Sequence, residues 1–193
     1  MFPEFETSTY TFLLDKFADR CRELILKPSS PRSTCELINR VLFHEYGFRG
    51  AREDFENPEN GFLHRTLERK EGLPITLCVI YILVARRIGF ELDPIGTPGR
   101  FMVGCFMEKT PFYVDCWSGG RFVELKQMQD KMGVLPEKEA GIALLPVTVA
   151  ETLARACRNL SNQYAKANDA VKSRTFDSFV HEIDRLHRKA SNA

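Results

Sequence analysis

The chain has 193 residues, and its 27 Lys and Arg residues against 26 Asp and Glu residues leave a formal net charge of +1. A chain of this length buries about 70% of its unfolded surface and needs no disulfide or metal to hold it together. The near-neutral charge gives no electrostatic reason to expect binding to nucleic acid or to an anionic membrane. We therefore expect one globular unit, with an unidentified protein as its partner class and no nucleic acid or membrane.

The cysteines and histidines carry no metal pattern. The six cysteines form no C-x-x-C pair, and the first residues lack the basic and apolar segments of a signal peptide. Reduced thiols in a cytoplasmic protein are the expectation that follows. The four histidines show no metal-ligand spacing, so no metal and no cofactor are predicted.

The first two predicted elements are helices. The first has an apolar stripe and ends at Lys27-Pro28; its stripe consists of Phe12, Leu13, Phe17, Cys21, Leu24 and Ile25. The second is predicted to open at Ser33 with a capping box, in which Glu36 reaches back to the Ser33 amide, and to end at Gly47. A polar loop and a short helix around Phe62 to Lys70 follow.

The next segment predicts a buried central helix. Pro74 suits the first helical position, because its missing N–H would have no partner there. Arg86 and Arg87 provide cations in the last turn, and Gly89 provides the stop. The residues between are apolar on most sides, which is typical of a helix enclosed by other elements.

Short apolar runs separated by turn residues then predict an antiparallel sheet. The runs are Phe90–Ile95, Phe101–Met107, Phe112–Asp115 and Arg121–Glu124. A short helical piece near Gln127 and a loop around Pro136 are expected after the sheet.

The last third predicts an αα-hairpin. Thr148 and Glu151 form a second capping box, and the helix they open carries an apolar stripe that includes Val149, Leu153 and Leu160. A break at Asn168 separates it from a final helix. The fold class is therefore α+β, with helices packed on an antiparallel sheet in residues 1–145 and a helical hairpin in residues 146–193, packed together as one unit.

Several motifs in a fixed order give this chain a family resemblance. They are L-F-H-E-Y-G-F-R-G at 42–50, R-K-E-G-L-P-I-T-L at 69–77, A-R-R-I-G at 85–89, P-G-R-F at 98–101, Asp115 with Gly119-Gly120, and L-A-R-A-C-R-N-L at 153–160. Over roughly residues 36–187 the chain resembles the SirB-type transglutaminase-like family. Its members include a bacterial protein associated with invasion-gene regulation and a domain found beside an F-box in eukaryotic ubiquitin-ligase adaptors. The resemblance implies a transglutaminase-like, cysteine-protease-like core followed by a tetratricopeptide-like helix pair.

The resemblance also implies a catalytic triad, which this sequence matches incompletely. Active relatives place a Cys at the start of the buried helix, a His on the first following strand and an Asp on the next. Asp115 matches the Asp, but Arg100 stands where the family motif P-G-H-F has its His, and arginine cannot act as a general base. The nucleophile position falls near Pro74, one turn before Cys78.

Two functional hypotheses follow. In the first, the chain is a degenerate, non-catalytic transglutaminase-like protein that acts through protein–protein interaction or regulation, with Cys78, Arg100 and Asp115 as a vestigial triad region. In the second, it is a cysteine-dependent hydrolase or acyl transferase that uses Cys78 and Asp115 with a relocated base, such as His44 or His64. Under the first hypothesis, Cys78 is a small core residue and Arg100 forms an ion pair with Asp115.

Overall fold

The computed structural model describes residues 7–25, 30–132 and 143–191, and these residues form an α+β fold. The helices and strands run in the following order: α1 (Thr7–Leu24), α2 (Pro31–Asn39), β1 (Arg49–Gly50), α3 (Leu63–Arg69), β2 (Glu71–Gly72), α4 (Pro74–Arg87), β3 (Asp93–Ile95), β4 (Met102–Cys105), β5 (Phe112–Asp115), β6 (Arg121–Glu124), α5 (Leu125–Met132), α6 (Val149–Lys166) and α7 (Ala170–Ser191). The expected helix end at Lys27-Pro28 and the expected loop around Pro136 lie outside the described residues.

The N-terminal helices differ from the prediction in two details. Phe12 does not lie on the buried face of α1 but is 69% exposed, whereas Phe17 and Cys21 are buried. Helix α2 starts at Pro31 and not at Ser33, because Ser30 is its cap and accepts a hydrogen bond from the Ser33 amide at 3.2 Å. A proline at the first position behind a serine cap is itself a strong start signal, and it overrides the later capping box.

A π-helical turn at Arg40–Glu45 extends α2 toward the predicted end at Gly47. Its closing bond runs from the Tyr46 amide to the Val41 carbonyl, an i to i+5 step, at 2.9 Å. Gly47 then adopts a φ of +72°, which a residue with a side chain rarely does.

Helix α4 is the centre of the core, as predicted. It begins at Pro74 and ends at Arg87, and Gly89 follows with a φ of +74°. Its buried residues face several directions because α1 packs on one side and β4 on another. The Tyr81 hydroxyl lies wholly inside this core and donates to the Cys35 carbonyl of α2 at 2.9 Å.

The predicted antiparallel sheet has the strand order β3-β4-β5-β6, and each strand pairs with the next along the chain. Both faces are covered: Val103 and Val114 face the α4 core, while Met102 and Tyr113 face a second apolar cluster that includes Met128 of α5. A further parallel pair, β1 with β2, is only two residues long on each side and was not predicted.

The two C-terminal helices pair as the predicted hairpin. The Thr148 capping box is present, and Asn168 breaks the chain between α6 and α7 with a φ of +60°. Arg158 and Asp184 join the helices at 3.0 Å. The predicted apolar stripe on α6 is wrong at its start, because Val149 and Leu153 are 70% and 52% exposed, although Leu160 is buried.

Candidate functional site

Arg100 and Asp115 form an ion pair at the end of the sheet. Asp115 is the last residue of β5, and Arg100 ends the turn that leads into β4, so the antiparallel pairing of the two strands brings the side chains together. The Arg100 Nη1 donates to Asp115 Oδ2 at 2.5 Å. The Asp115 side chain is only 4% exposed, whereas that of Arg100 is 43% exposed. The contact expected from the sequence is therefore present.

Ser118 donates two further hydrogen bonds to the Asp115 carboxylate. The Ser118 amide donates to Oδ1 at 3.2 Å, and its hydroxyl donates to Oδ2 at 2.9 Å. Asp115 thereby caps the short 3₁₀ turn Cys116–Ser118. The carboxylate is held by one arginine and one serine, and no described histidine hydrogen-bonds to it.

The Cys78 thiol lies one turn inside α4 and is closed off from solvent. Its Sγ donates to the Phe101 carbonyl at 3.4 Å. The neighbouring Cys116 thiol is fully buried as well, and burial, together with a hydrogen bond to Cys78, raises the pKa of Cys116 well above its ordinary value. These surroundings are those of core thiols, since a reactive cysteine needs an accessible and electropositive setting.

A cleft of about 520 Å³ opens beside this buried pair of thiols, but Cys78 does not line it. Its walls bring together the start of α4, the turn before β4, the loop after β1 and one face of α6. The lining residues are Phe55, Glu56, Leu73, Pro74, Ile75, Gly99, Arg100, Phe101, Arg155, Asn159, Asn162, Gln163, Ala165 and Lys166. Pro74 and Arg100, the positions where the resemblance places the nucleophile and the base, thus line one cleft, and both carry residues that cannot perform those roles.

The histidines considered as a relocated base lie elsewhere. His44 is exposed on the π-helical turn, and His64 packs against the rings of Tyr10 and Phe62. Burial lowers the pKa of His64. None of the chain's four histidines, all of them within the described ranges, lines the cleft.

Sequence reasoning did not single out the α6 side of the cleft. Arg155 of α6 reaches across to the turn before β4, where its Nη2 donates to the Thr97 carbonyl at 2.7 Å and its guanidinium lies 5.5 Å from the Phe101 ring centre. Gln163 anchors the loop after β1 through a 2.8 Å bond from Nε2 to the Phe55 carbonyl. The motif L-A-R-A-C-R-N-L contains Arg155, but nothing in its spacing tells which of its arginines faces inward.

Comparison with protein families matches residues 8–158 to the Transglutaminase-like superfamily. Since the match covers most of the chain, this protein belongs to the Transglutaminase-like superfamily. Within the described ranges no helix is long and apolar enough to cross a membrane, and no cluster of His, Cys, Asp and Glu could hold a metal ion.

The chain is also similar to several particular proteins. It is 30% identical over 173 residues to a UPF0162 protein of Xylella fastidiosa, covering 86% of this chain and 62% of that protein. It is 27% identical over 118 residues to F-box only protein 21 of Mus musculus, covering 57% of this chain and 19% of that protein. A UPF0162 protein of Vibrio cholerae is 28% identical over 85 residues, which cover 44% of this chain and 32% of that protein. The chain thus spans about three fifths of the Xylella relative's length, and no solved structure matches it.

Proposed function

We propose that this protein is a non-catalytic member of the Transglutaminase-like superfamily that acts by binding another protein. The observation that carries the proposal is the Arg100–Asp115 ion pair: the carboxylate that would orient a catalytic histidine is held by a guanidinium, which cannot accept a proton.

The setting of the thiols supports the same proposal. Pro74 occupies the first position of α4, where the positive end of the helix would lower the pKa of a thiol, and it provides no nucleophile. Cys78 lies four residues further on, beyond the turn over which the helix dipole acts strongly, and is closed off from solvent.

Within the superfamily, the proposed branch is the SirB-type one, with α6 and α7 as a tetratricopeptide-like helix pair. The similarity to the UPF0162 proteins and the packing of α6 on α7 support this assignment. The proposal also includes a cytoplasmic location, which the six free thiols favour.

Turnover of a generic nitrophenyl ester and a generic anilide tests the non-catalytic role. The native protein and two variants, Cys78→Ala and Cys157→Ala, should show the same background rate, because neither thiol takes part in chemistry. Cys157 is the matched control, since it lies partly buried on α6 and does not line the cleft. Turnover that disappears in Cys78→Ala and persists in Cys157→Ala would overturn the proposal and establish the cysteine-dependent hydrolase instead.

The double variant Pro74→Cys with Arg100→His tests the origin of the site. Both positions line one cleft, and Asp115 already sits within reach of position 100. We expect measurable thiol-dependent ester hydrolysis in the double variant and none in either single variant, because nucleophile and base act as one unit. Inactivity of a correctly folded double variant would contradict the assignment of these positions to a lost triad.

A further inference from the structure

The cleft has an unpaired positive charge. Its walls carry Arg100, Arg155 and Lys166 against the single carboxylate of Glu56. Lys166 pairs with Glu56, and Arg100 pairs with Asp115 behind the wall. Arg155 makes no ion pair with any carboxylate in the described part of the chain. One guanidinium therefore remains for a ligand to neutralise.

Arg155 is held in place for such a ligand. The Thr97 carbonyl accepts one of its N–H groups, and the Phe101 ring supports the face of the guanidinium. Burial, with a smaller contribution from Arg158, lowers the pKa of Arg155, yet a guanidinium keeps its charge in a protein. A half-buried cation with N–H groups to spare favours a planar, bidentate anion such as a carboxylate.

The first turn of α4 faces the same cleft. No side chain caps this helix and its first turn has no acidic residue, so the positive end of the helix has no anion of its own within the described chain. Leu73, Pro74 and Ile75 line the cleft at this point. The side chains of Asn159 and Asn162, opposite on α6, make no hydrogen bond to a described residue and can donate their amide N–H groups to a ligand.

Gln163 holds the loop after β1 against α6 at the wall of the cleft. Its side chain lines the cleft and the residue is only 6% exposed, with Nε2 committed to the carbonyls of Phe55 and Asn57. Its Oε1 is buried and accepts no hydrogen bond. This oxygen lies against Gly61, where an added Cβ would come within 3.3 Å of it, so Gln163 fixes the wall of the cleft and is not a contact for the ligand.

We propose that this cleft binds a peptide segment of a partner protein through a carboxylate, which Arg155 receives beside the first turn of α4. This inference rests on the proposed binding function and specifies the chemistry of the partner. A volume of about 520 Å³ accommodates a few residues of such a segment. The carboxylate comes from a chain terminus or from an Asp or Glu side chain, and the experiment separates the two sources.

Titration of the full chain with three acetylated peptides tests the proposal. The first is a tri-alanine with a free C-terminus, the second is the same peptide as its C-terminal amide, and the third is an amidated peptide with a central glutamate. The single tryptophan is a built-in reporter, because Trp117 contacts the ring of Phe55 at 5.6 Å and Phe55 lines the cleft. At least one acidic peptide should bind about tenfold more tightly than the neutral amide.

The variants localise the binding. Arg155→Gln should weaken the acidic peptide about tenfold, whereas Arg158→Gln, one turn further along α6 and paired with Asp184, should leave its affinity within about twofold. Asn159→Asp provides a second variant, which adds a negative charge to the cleft without removing the packing of Arg155 and should also weaken binding. Circular dichroism establishes that each variant is folded.

The peptide that binds identifies the source of the carboxylate. Binding of the free-terminus peptide alone assigns the site to a chain terminus, and binding of the glutamate peptide assigns it to an acidic side chain; either supports the proposal. The proposal would be overturned if the neutral amide bound equally well, if inorganic phosphate bound more tightly, or if no peptide bound. It would also be overturned if the folded Arg155→Gln and Asn159→Asp variants kept the affinity of the native protein. Ester turnover measured in the same samples reports on the non-catalytic role separately, so the two proposals can fail independently.

Discussion

Replacing Arg100 by alanine should destabilise the protein, because it leaves the Asp115 carboxylate without its cation in a site where the side chain is only 4% exposed. Loss of one partner of a fully buried ion pair costs about 3–5 kcal/mol. The cost here should be smaller, about 2–3 kcal/mol, since Arg100 is 43% exposed and Ser118 keeps both of its hydrogen bonds to the carboxylate.

A double-mutant cycle separates this pairing from other effects of the substitution. Asp115→Asn should cost less, about 1–2 kcal/mol, because the freed Arg100 side chain can extend into water and leaves no buried charge without a partner. The double variant should be no less stable than Arg100→Ala, giving a coupling of about 1–2 kcal/mol, above the range of exposed pairs.

Urea denaturation followed by Trp117 fluorescence measures these free energies of unfolding. Arg121→Ala is the matched control: Arg121 lies opposite Asp115 on β6, is exposed, and makes no ion pair with a described residue, so its removal should change stability by less than about 0.5 kcal/mol. A loss below about 0.5 kcal/mol in Arg100→Ala, or a coupling near zero, would refute the reasoning and make the pair an ordinary surface contact.

Three further predictions concern stability. Ile80→Ala should cost about 2–5 kcal/mol in urea denaturation, because Ile80 is 1% exposed in the centre of α4. Leu186→Ala should cost under about 1 kcal/mol, because Leu186 is 53% exposed. Equal losses in the two variants would contradict the central position of α4. Thr148→Ala should cost about 1 kcal/mol through loss of the cap on α6, and an unchanged melting curve would contradict that role. Burial raises the pKa of Cys35 to about 12. The contribution of the protonated Cys35 thiol to the free energy of unfolding is therefore complete below about pH 9 and is lost as the pH rises toward 12, by about 1.4 kcal/mol per pH unit. Cys35→Ala should make the alkaline decline in unfolding free energy less steep, and an unaltered slope would contradict this.

Local signals were enough to predict the elements that surround the cleft. Pro74 and Gly89 mark the two ends of α4, because the start signal of a proline and the stop signal of a glycine depend only on the backbone of that residue. Both signals are found where the sequence predicts them. The start of α2 was wrong because two overlapping caps compete, and the proline after Ser30 decides between them. The contact of Arg100 with Asp115 could be predicted because they flank consecutive strands.

The rest of the cleft depends on contacts between residues far apart in the chain. Arg155 meets Thr97 only after α6 has packed across the end of the sheet, so no local pattern distinguishes it from Arg158. The two-residue strands β1 and β2 are too short to give a periodic signal, and they form because α3 returns the chain alongside β1. Each of these features is determined by tertiary packing.

Alkylation of Cys78 in the native protein tests the central claim most directly. Iodoacetamide at pH 7.5, followed by mass spectrometry of digested samples over time, measures the rate at each thiol, with the partly buried Cys157 as the internal reference. Cys78 should remain unmodified while Cys157 reacts, and both should react once urea unfolds the chain. Alkylation of Cys78 that is faster than that of Cys157 in the folded protein would reveal an accessible, activated thiolate and contradict the account of a site that has lost its chemistry.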